Sequence, residues 1–117
     1  VMITEMMPVM TPDMHLGDAI ILVSKGKLGL GVAMTDENTI AGLITDGDIR
    51  RAMEKWREKF FDKTVADIMT ERPKTVTPET KISEIQRIMS RYKIHSVLVV
   101  DKERHLLGVV DHYSCMI

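Results

Sequence analysis

The residues best suited to chemistry are Thr45-Asp46-Gly47-Asp48, followed closely by Arg50 and Arg51. A hydroxyl and a carboxylate three residues apart, with two guanidinium groups beyond them, fit two roles. In the first they cap a helix: Thr45 or Asp46 accepts exposed amides, and the carboxylates suit the positive end of the helix dipole. In the second, Asp48 sits in a partly dry cleft and accepts two hydroxyls from a ribose-like diol. Charge-assisted bonds of that kind are worth roughly 1.5–3 kcal/mol each. Arg50 or Arg51 would then lie near a phosphate.

Other constellations carry less. Asp111-His112-Tyr113-Ser114 contains the letters of a hydrolase triad. Sequence neighbours rarely converge on one point, however, and a triad is a matter of geometry. No catalytic set is expected. The histidines are His15, His95, His105 and His112. No pair has the i, i+4 helical spacing or the loop signature of a zinc site, so no metal is expected. Cys115 is the single cysteine, which excludes an internal disulfide and fits a reducing compartment. It reads as a core or interface residue.

The elements that must position Thr45 and Asp48 emerge from an internal repeat. Residues 1–51 slide onto residues 67–117 without a gap, at an offset of 66. Thr4-Glu5 falls on Thr70-Glu71, Thr11-Pro12 on Thr77-Pro78, Ser24 on Ser90, Lys27 on Lys93, Glu37 on Glu103 and Gly42 on Gly108. Each half reads alike. An extended piece precedes Thr-Pro, because the residue before proline is pushed out of helical space. A helix follows, over about 15–25 with Leu16, Ala19, Ile20 and Val23, and over about 81–92 with Ile82, Ile85, Ile88, Met89 and Tyr92 at helical spacing. Then come strands at 30–34 and 96–100, polar turns at 36–39 and 101–105, and returning strands at 40–45 and 106–110. The first half continues into a helix of about 46–59 carrying Ile49, Met53 and Trp56. The segment 58–64 links the halves, with Phe60 and Phe61 expected to pack it against the body.

A chain of 117 residues makes one compact domain or two very small ones. The net charge of −1, with both signs mixed, argues against nucleic-acid and anionic-membrane partners. Ten methionines suit adaptable packing surfaces. No apolar run approaches the roughly 20 residues of a membrane span, and the start lacks a signal-peptide layout. The expected location is cytoplasmic.

A β-α-β-β-α unit repeated in tandem resembles the CBS domain pair, or Bateman module. The lead-in VADIM before Thr70, the VMTP and TVTP segments and above all GLITDGDIRR carry the likeness. The family pattern of Gly, two or three apolar residues, Thr or Ser, two further residues and Asp is met by Gly42, Thr45 and Asp48. The resemblance implies an α+β fold with pseudo-two-fold symmetry. One repeat would span 1–60, clipped at its start, and the other 61–117, its last helix truncated. TDGDIRR is similar to the CBS pair at the C-terminus of bacterial arabinose-5-phosphate isomerases, enzymes of Kdo and lipopolysaccharide biosynthesis. Their catalytic sugar isomerase (SIS) domain lies upstream in the same chain. The fragment itself would then not be an enzyme.

In that family each ligand cleft joins the Thr-x-x-Asp of one repeat to linkers of the other. The implied ligand set is Thr45, Asp48, Thr75, Val76, Ile94, His95, Ser96, Arg50 and Arg51. Val76 and Ile94 would offer backbone groups to a base edge, and His95 and Ser96 would reach a phosphate. By register Asp111 replaces Thr45 and Ser114 replaces Asp48 in the second motif, so only one cleft keeps the usual chemistry. No cofactor is required, and the implied ligand is a nucleotide such as AMP, ATP or a CMP-type compound, CMP-Kdo included. The alternative is an assembly module with empty clefts. Either way a homodimer is expected, through an apolar helix face formed by Ile49, Met53 and Trp56.

Overall fold

Short apolar runs make strands that can be buried on both faces, and each half of the chain has one: LGVAM at 30–34 and the β-branched SVLVV at 96–100. The computed structural model describes residues 8–26, 29–35 and 39–111. These divide into two compact units, residues 8–72 and 73–111. The first comprises β1 (Val9–Met10), α1 (Leu16–Gly26), β2 (Leu30–Met34), β3 (Ile40–Thr45), α2 (Asp46–Trp56), a 3-10 segment (Arg57–Asp62), the short α3 (Val65–Ile68) and β4 (Thr70–Glu71). The second comprises β5 (Thr75–Val76), α4 (Ile82–Tyr92), β6 (Ser96–Val100) and β7 (Leu106–Asp111).

In the first unit the sheet order is β1-β2-β3-β4, with β1 parallel to β2 and the other pairs antiparallel. Every residue of β2 is buried. Helix α1 turns Leu16, Ala19 and Val23 inward, where they meet Met10, Ala33, Ile44, Ile49, Ala52, Phe60 and Val65. Gly42 in β3 is required by close approach. A Cβ there would stand 2.6 Å from Met69 Sδ and 2.9 Å from the Thr70 carbonyl oxygen, so β4 runs past at a distance that only glycine permits.

In the second unit the order is β5-β6-β7, with β5 parallel to β6 and β7 antiparallel to it. Its core joins Val76, Ile85, Met89, Val97, Val99 and Val110. Ile85 and Met89 carry the buried stripe of α4, while Ile82 and Tyr92 at its ends stay largely exposed.

The repeat is as plain in the backbone as in the sequence. Leu30 faces Thr45, and 66 positions on Ser96 faces Asp111; Met34 faces Ile40, and Val100 faces Leu106. Both hairpins break register at the same place, between Ala33 and Met34 and between Val99 and Val100. The Val32 amide donates to the Pro8 carbonyl and the Leu98 amide to the Lys74 carbonyl.

Some expectations give way. The helix expected over 46–59 stops at Trp56: Arg57 takes a φ of 48° and the chain tightens into the 3-10 segment. The tightening delivers Phe60 to the core, whereas Phe61 lies over Gly17 of α1 and stays 62% exposed. Residues 60–72 are stitched to the first unit by the Leu16 amide on the Lys63 carbonyl (2.9 Å), the Val65 amide on Met14 (2.9 Å) and the Ala66 amide on Pro12 (2.9 Å). The apolar face of α2 is also turned inward. Ile49 and Ala52 are buried in their own unit and Trp56 packs on the same core, so Met53, 42% exposed, is left as the outward apolar residue of the three expected there. The turn residues 36–38, the expected clipped start and the last helix lie outside the described residues. Among the described residues no helix is long and apolar enough to cross a membrane.

Candidate functional site

Thr45 ends β3 in extended geometry and becomes the N-cap of α2. Its Oγ accepts the Asp48 amide at 3.2 Å, and its own amide donates to Asp48 Oδ2 at 3.0 Å. This reciprocal capping box satisfies two helix-end amides. The helix start is pinned from below as well. The Asp46 amide donates to the Gly29 carbonyl at 2.9 Å, with Gly29 at a φ of 71°. Asp46 and Asp48 place two carboxylates in the first turn, where the helix dipole favours negative charge.

The other oxygen of Asp48 is engaged too. Arg51 Nη2 donates to Asp48 Oδ1 at 2.7 Å. The Asp48 side chain is 19% exposed and that of Arg51 67%. The guanidinium folds back over the helix start, since a Cβ on Gly47 would stand 3.1 Å from Arg51 Nη1. Arg50 is exposed on the same turn. Thr45, Asp48 and Arg51 are therefore one hydrogen-bonded constellation. It can cap, and it can present a polarised carboxylate and a cation side by side.

In the second unit, Thr75 and Val76 form the edge strand β5, set against Leu98 and Val99. In a parallel ladder alternate residues turn both backbone groups to the same neighbour. With the Leu98 amide on the Lys74 carbonyl, that neighbour for Val76 is β6, so the groups at the outer edge of the sheet are those of Thr75. The Val76 side chain is buried. The Ile94 amide donates to the Met89 carbonyl at 3.0 Å, closing the end of α4. His95 is exposed and precedes Ser96, which opens β6 opposite Asp111. Asp111 thus holds the register position that Thr45 holds in the first unit. Ser114, with His112, Tyr113 and Cys115, lies outside the described residues. His15 pairs with Thr64 in an isolated bridge.

Two groups escaped the sequence reading. One is a second Thr-x-x-Asp, Thr64 to Asp67, whose spacing alone could have marked the start of α3: the Thr64 amide donates to Asp67 Oδ2 at 2.8 Å. The other is the β6–β7 turn. Asp101 Oδ1 accepts the Glu103 amide at 2.9 Å and the His105 amide at 2.8 Å, and Oδ2 lies 3.2 Å from His105 Nδ1. The His105 amide holds the Asp101 carboxyl below its ordinary range; partial burial opposes this, and the His105 ring and Glu103 amide reinforce it. Among the described residues, Asp101, Glu103 and His105 bring one ligand atom each within 4.8 Å of one another. The sequence signal was an Asp-x-Glu-x-His run in a turn. The Asp101 oxygens are already committed to that turn.

Comparison with known proteins adds a family. The model of the CBS domain matches residues 1–55 and 65–116. A probable arabinose 5-phosphate isomerase of Haemophilus influenzae is 35% identical over 108 residues, which cover 92% of this chain and 32% of that protein. Arabinose 5-phosphate isomerase KpsF of Escherichia coli is 32% identical over 103 residues, covering 88% and 31%. The chain spans about a third of the length of the curated relatives it matches. Among solved structures, a CBS domain protein of Pyrobaculum aerophilum complexed with AMP has a TM-score of 0.85 at 20% identity, covering 97% of this chain and 89% of that one. The CBS domain pair of protein MJ0100 in complex with 5'-methylthioadenosine and S-adenosyl-L-methionine also has a TM-score of 0.85, at 22% identity, covering 99% and 93%. At these identities the likeness is one of fold.

Proposed function

From the premise that this chain belongs to the CBS domain family, with one domain matched in each half, we propose that it is a regulatory module that binds a nucleotide and tunes an attached arabinose-5-phosphate isomerase domain. The observation that carries the reading is the Asp48 carboxylate. It is mostly withdrawn from water, held rigid by the Thr45 amide, and set beside a hydroxyl and a guanidinium. Such a carboxylate accepts a diol through charge-assisted bonds. The adenosine compounds bound by the Pyrobaculum protein and by MJ0100 support an adenosine-type ligand. CMP-Kdo, a product-side sugar nucleotide, is the finer proposal. Thr45, Asp48, Arg50 and Arg51 are the proposed contacts in the first unit. Thr75, Ile94, His95 and Ser96 enter on the family resemblance; Val76, expected there too, turns its backbone groups to β6 and buries its side chain, so the edge group of β5 is that of Thr75. We place the module in the cytoplasm, as part of Kdo and lipopolysaccharide synthesis, without catalysis of its own.

Calorimetry with AMP, ATP, CMP and CMP-Kdo tests this. Saturable binding of at least one is expected, and no heat from any of them overturns the reading. An assay of the isomerase-containing parent, with and without the ligand that binds, tests the regulatory half.

A second reading is favoured by one observation: Asp48 is already satisfied by Thr45 and Arg51 without a ligand. In that case the module serves assembly, and its business is a homodimer. Of the apolar face expected on α2, Met53 stays exposed and is what supports self-association. Light scattering that shows a dimer together with a silent nucleotide panel would favour this second reading.

A further inference from the structure

We propose that Arg51 sets the preference between phosphorylated and unphosphorylated nucleosides, because it holds Asp48 until a phosphate draws it away. The inference rests on the nucleotide-binding reading above and concerns which member of the ligand class is chosen.

A carboxylate oxygen accepts about two hydrogen bonds. At Asp48, Oδ2 already takes the Thr45 amide and Oδ1 already takes Arg51 Nη2 at 2.7 Å. A ribose diol brings two donors to this carboxylate, and at Oδ1 it must share with or displace a guanidinium. That guanidinium also neutralises the charge that makes the acceptor strong. The Thr45 amide cannot yield without opening the start of α2, since it belongs to the capping box. Arg51 can yield: its side chain is 67% exposed and no other ion pair holds it among the described residues.

A neutral nucleoside offers Arg51 nothing in exchange for Asp48. A nucleoside phosphate offers a better partner, because guanidinium and phosphate pair bidentately. The same residue therefore penalises one ligand and rewards the other. Arg50, its neighbour, forms no ion pair with Asp48 and does not have this double role.

The test compares adenosine and AMP as calorimetric probes on the 117-residue chain and on Arg51→Gln and Asp48→Asn. A partly exposed ion pair is worth about two- to fivefold in an equilibrium constant. Arg51→Gln is expected to tighten adenosine about two- to fivefold and to weaken AMP by a similar factor, so that the ratio of the two dissociation constants shrinks about tenfold. Asp48→Asn is expected to weaken both. An Arg51→Gln chain in which both ligands move in the same direction, or in which the ratio stays put, overturns the proposal while leaving nucleotide binding intact. A wild-type chain that binds neither probe overturns the binding reading and this inference with it. An unchanged thermal midpoint for Arg51→Gln shows that the variant folds.

Discussion

The chain contains Thr-x-x-Asp at 45–48 and again at 64–67, and folds both into the start of a helix. In each, the threonine amide donates to the aspartate, at 3.0 Å in the first and 2.8 Å in the second. Both pairs form a capping box, and the hydroxyls differ in their closest partner. Thr45 Oγ accepts the Asp48 amide, while Thr64 Oγ lies 3.3 Å from the Asp67 carboxylate and donates to it. Thr45 therefore keeps its proton for a further acceptor, and Thr64 spends its proton inside the turn. Asp67 is exposed on a four-residue helix; Asp48 is mostly covered, on an eleven-residue helix whose next turn enters the core. The spacing alone makes a cap. Burial, a paired guanidinium and the direction of one hydroxyl separate a candidate acceptor from a plain cap.

The strongest way to break this comparison is to remove the carboxylates in turn. Asp48→Ala should lower nucleotide affinity by about 10- to 100-fold, the worth of one or more charge-assisted bonds, and Asp67→Ala should leave it unchanged. Equal losses in calorimetry would reduce both aspartates to caps. Next come the hydroxyls. Thr45→Ala should cost about 1 kcal/mol in denaturant unfolding, the usual value of an N-cap. Thr64→Ala should cost less, about 0.5 kcal/mol, because its capping box serves an exposed four-residue helix.

A third carboxylate sharpens the contrast through pH. Asp101 has its folded-state pKa lowered, chiefly by the His105 amide. Its contribution to stability is full above the unfolded-state pKa and is lost as pH falls through the lower folded value. The β6–β7 turn should loosen in acid, and Asp101→Asn should flatten that dependence, as read by amide exchange in β6 and β7. The first unit has Thr35 at the matching position and no such titration there. The smallest effect is expected at Ser114. Ser114→Ala should barely change affinity, with one ligand bound per chain, because the second motif puts Asp111 where a phosphate would be repelled. Two equal sites per chain would refute that asymmetry.

Much of the fold was legible because repetition exposes register. Leu30–Met34 and Ser96–Val100 read as buried strands, and the offset of 66 aligned them before any contact was known. The end of α2 was not legible. Arg57 carries the left-handed turn without a glycine or proline to mark it, and the reason lies in the burial of Phe60 three residues later. Nor could the sequence choose between Phe60 and Phe61, since neighbours on a 3-10 turn point apart. At the site, Thr45 and Asp48 were legible by type and spacing. Arg51, and not Arg50, pairs with Asp48 because residues three apart face each other on a helix and residues two apart do not, a choice the spacing makes once a helix is placed there.

The shared break in register between Ala33 and Met34 and between Val99 and Val100 also has a practical side. Different side chains follow one register through the same irregularity, yet the hairpins are not freely interchangeable. A graft of 96–111 in place of 30–45 would set Val97 at Gly31, where a Cβ would run into Met10 Cε, so a designed twin would need a smaller residue at position 10 as well.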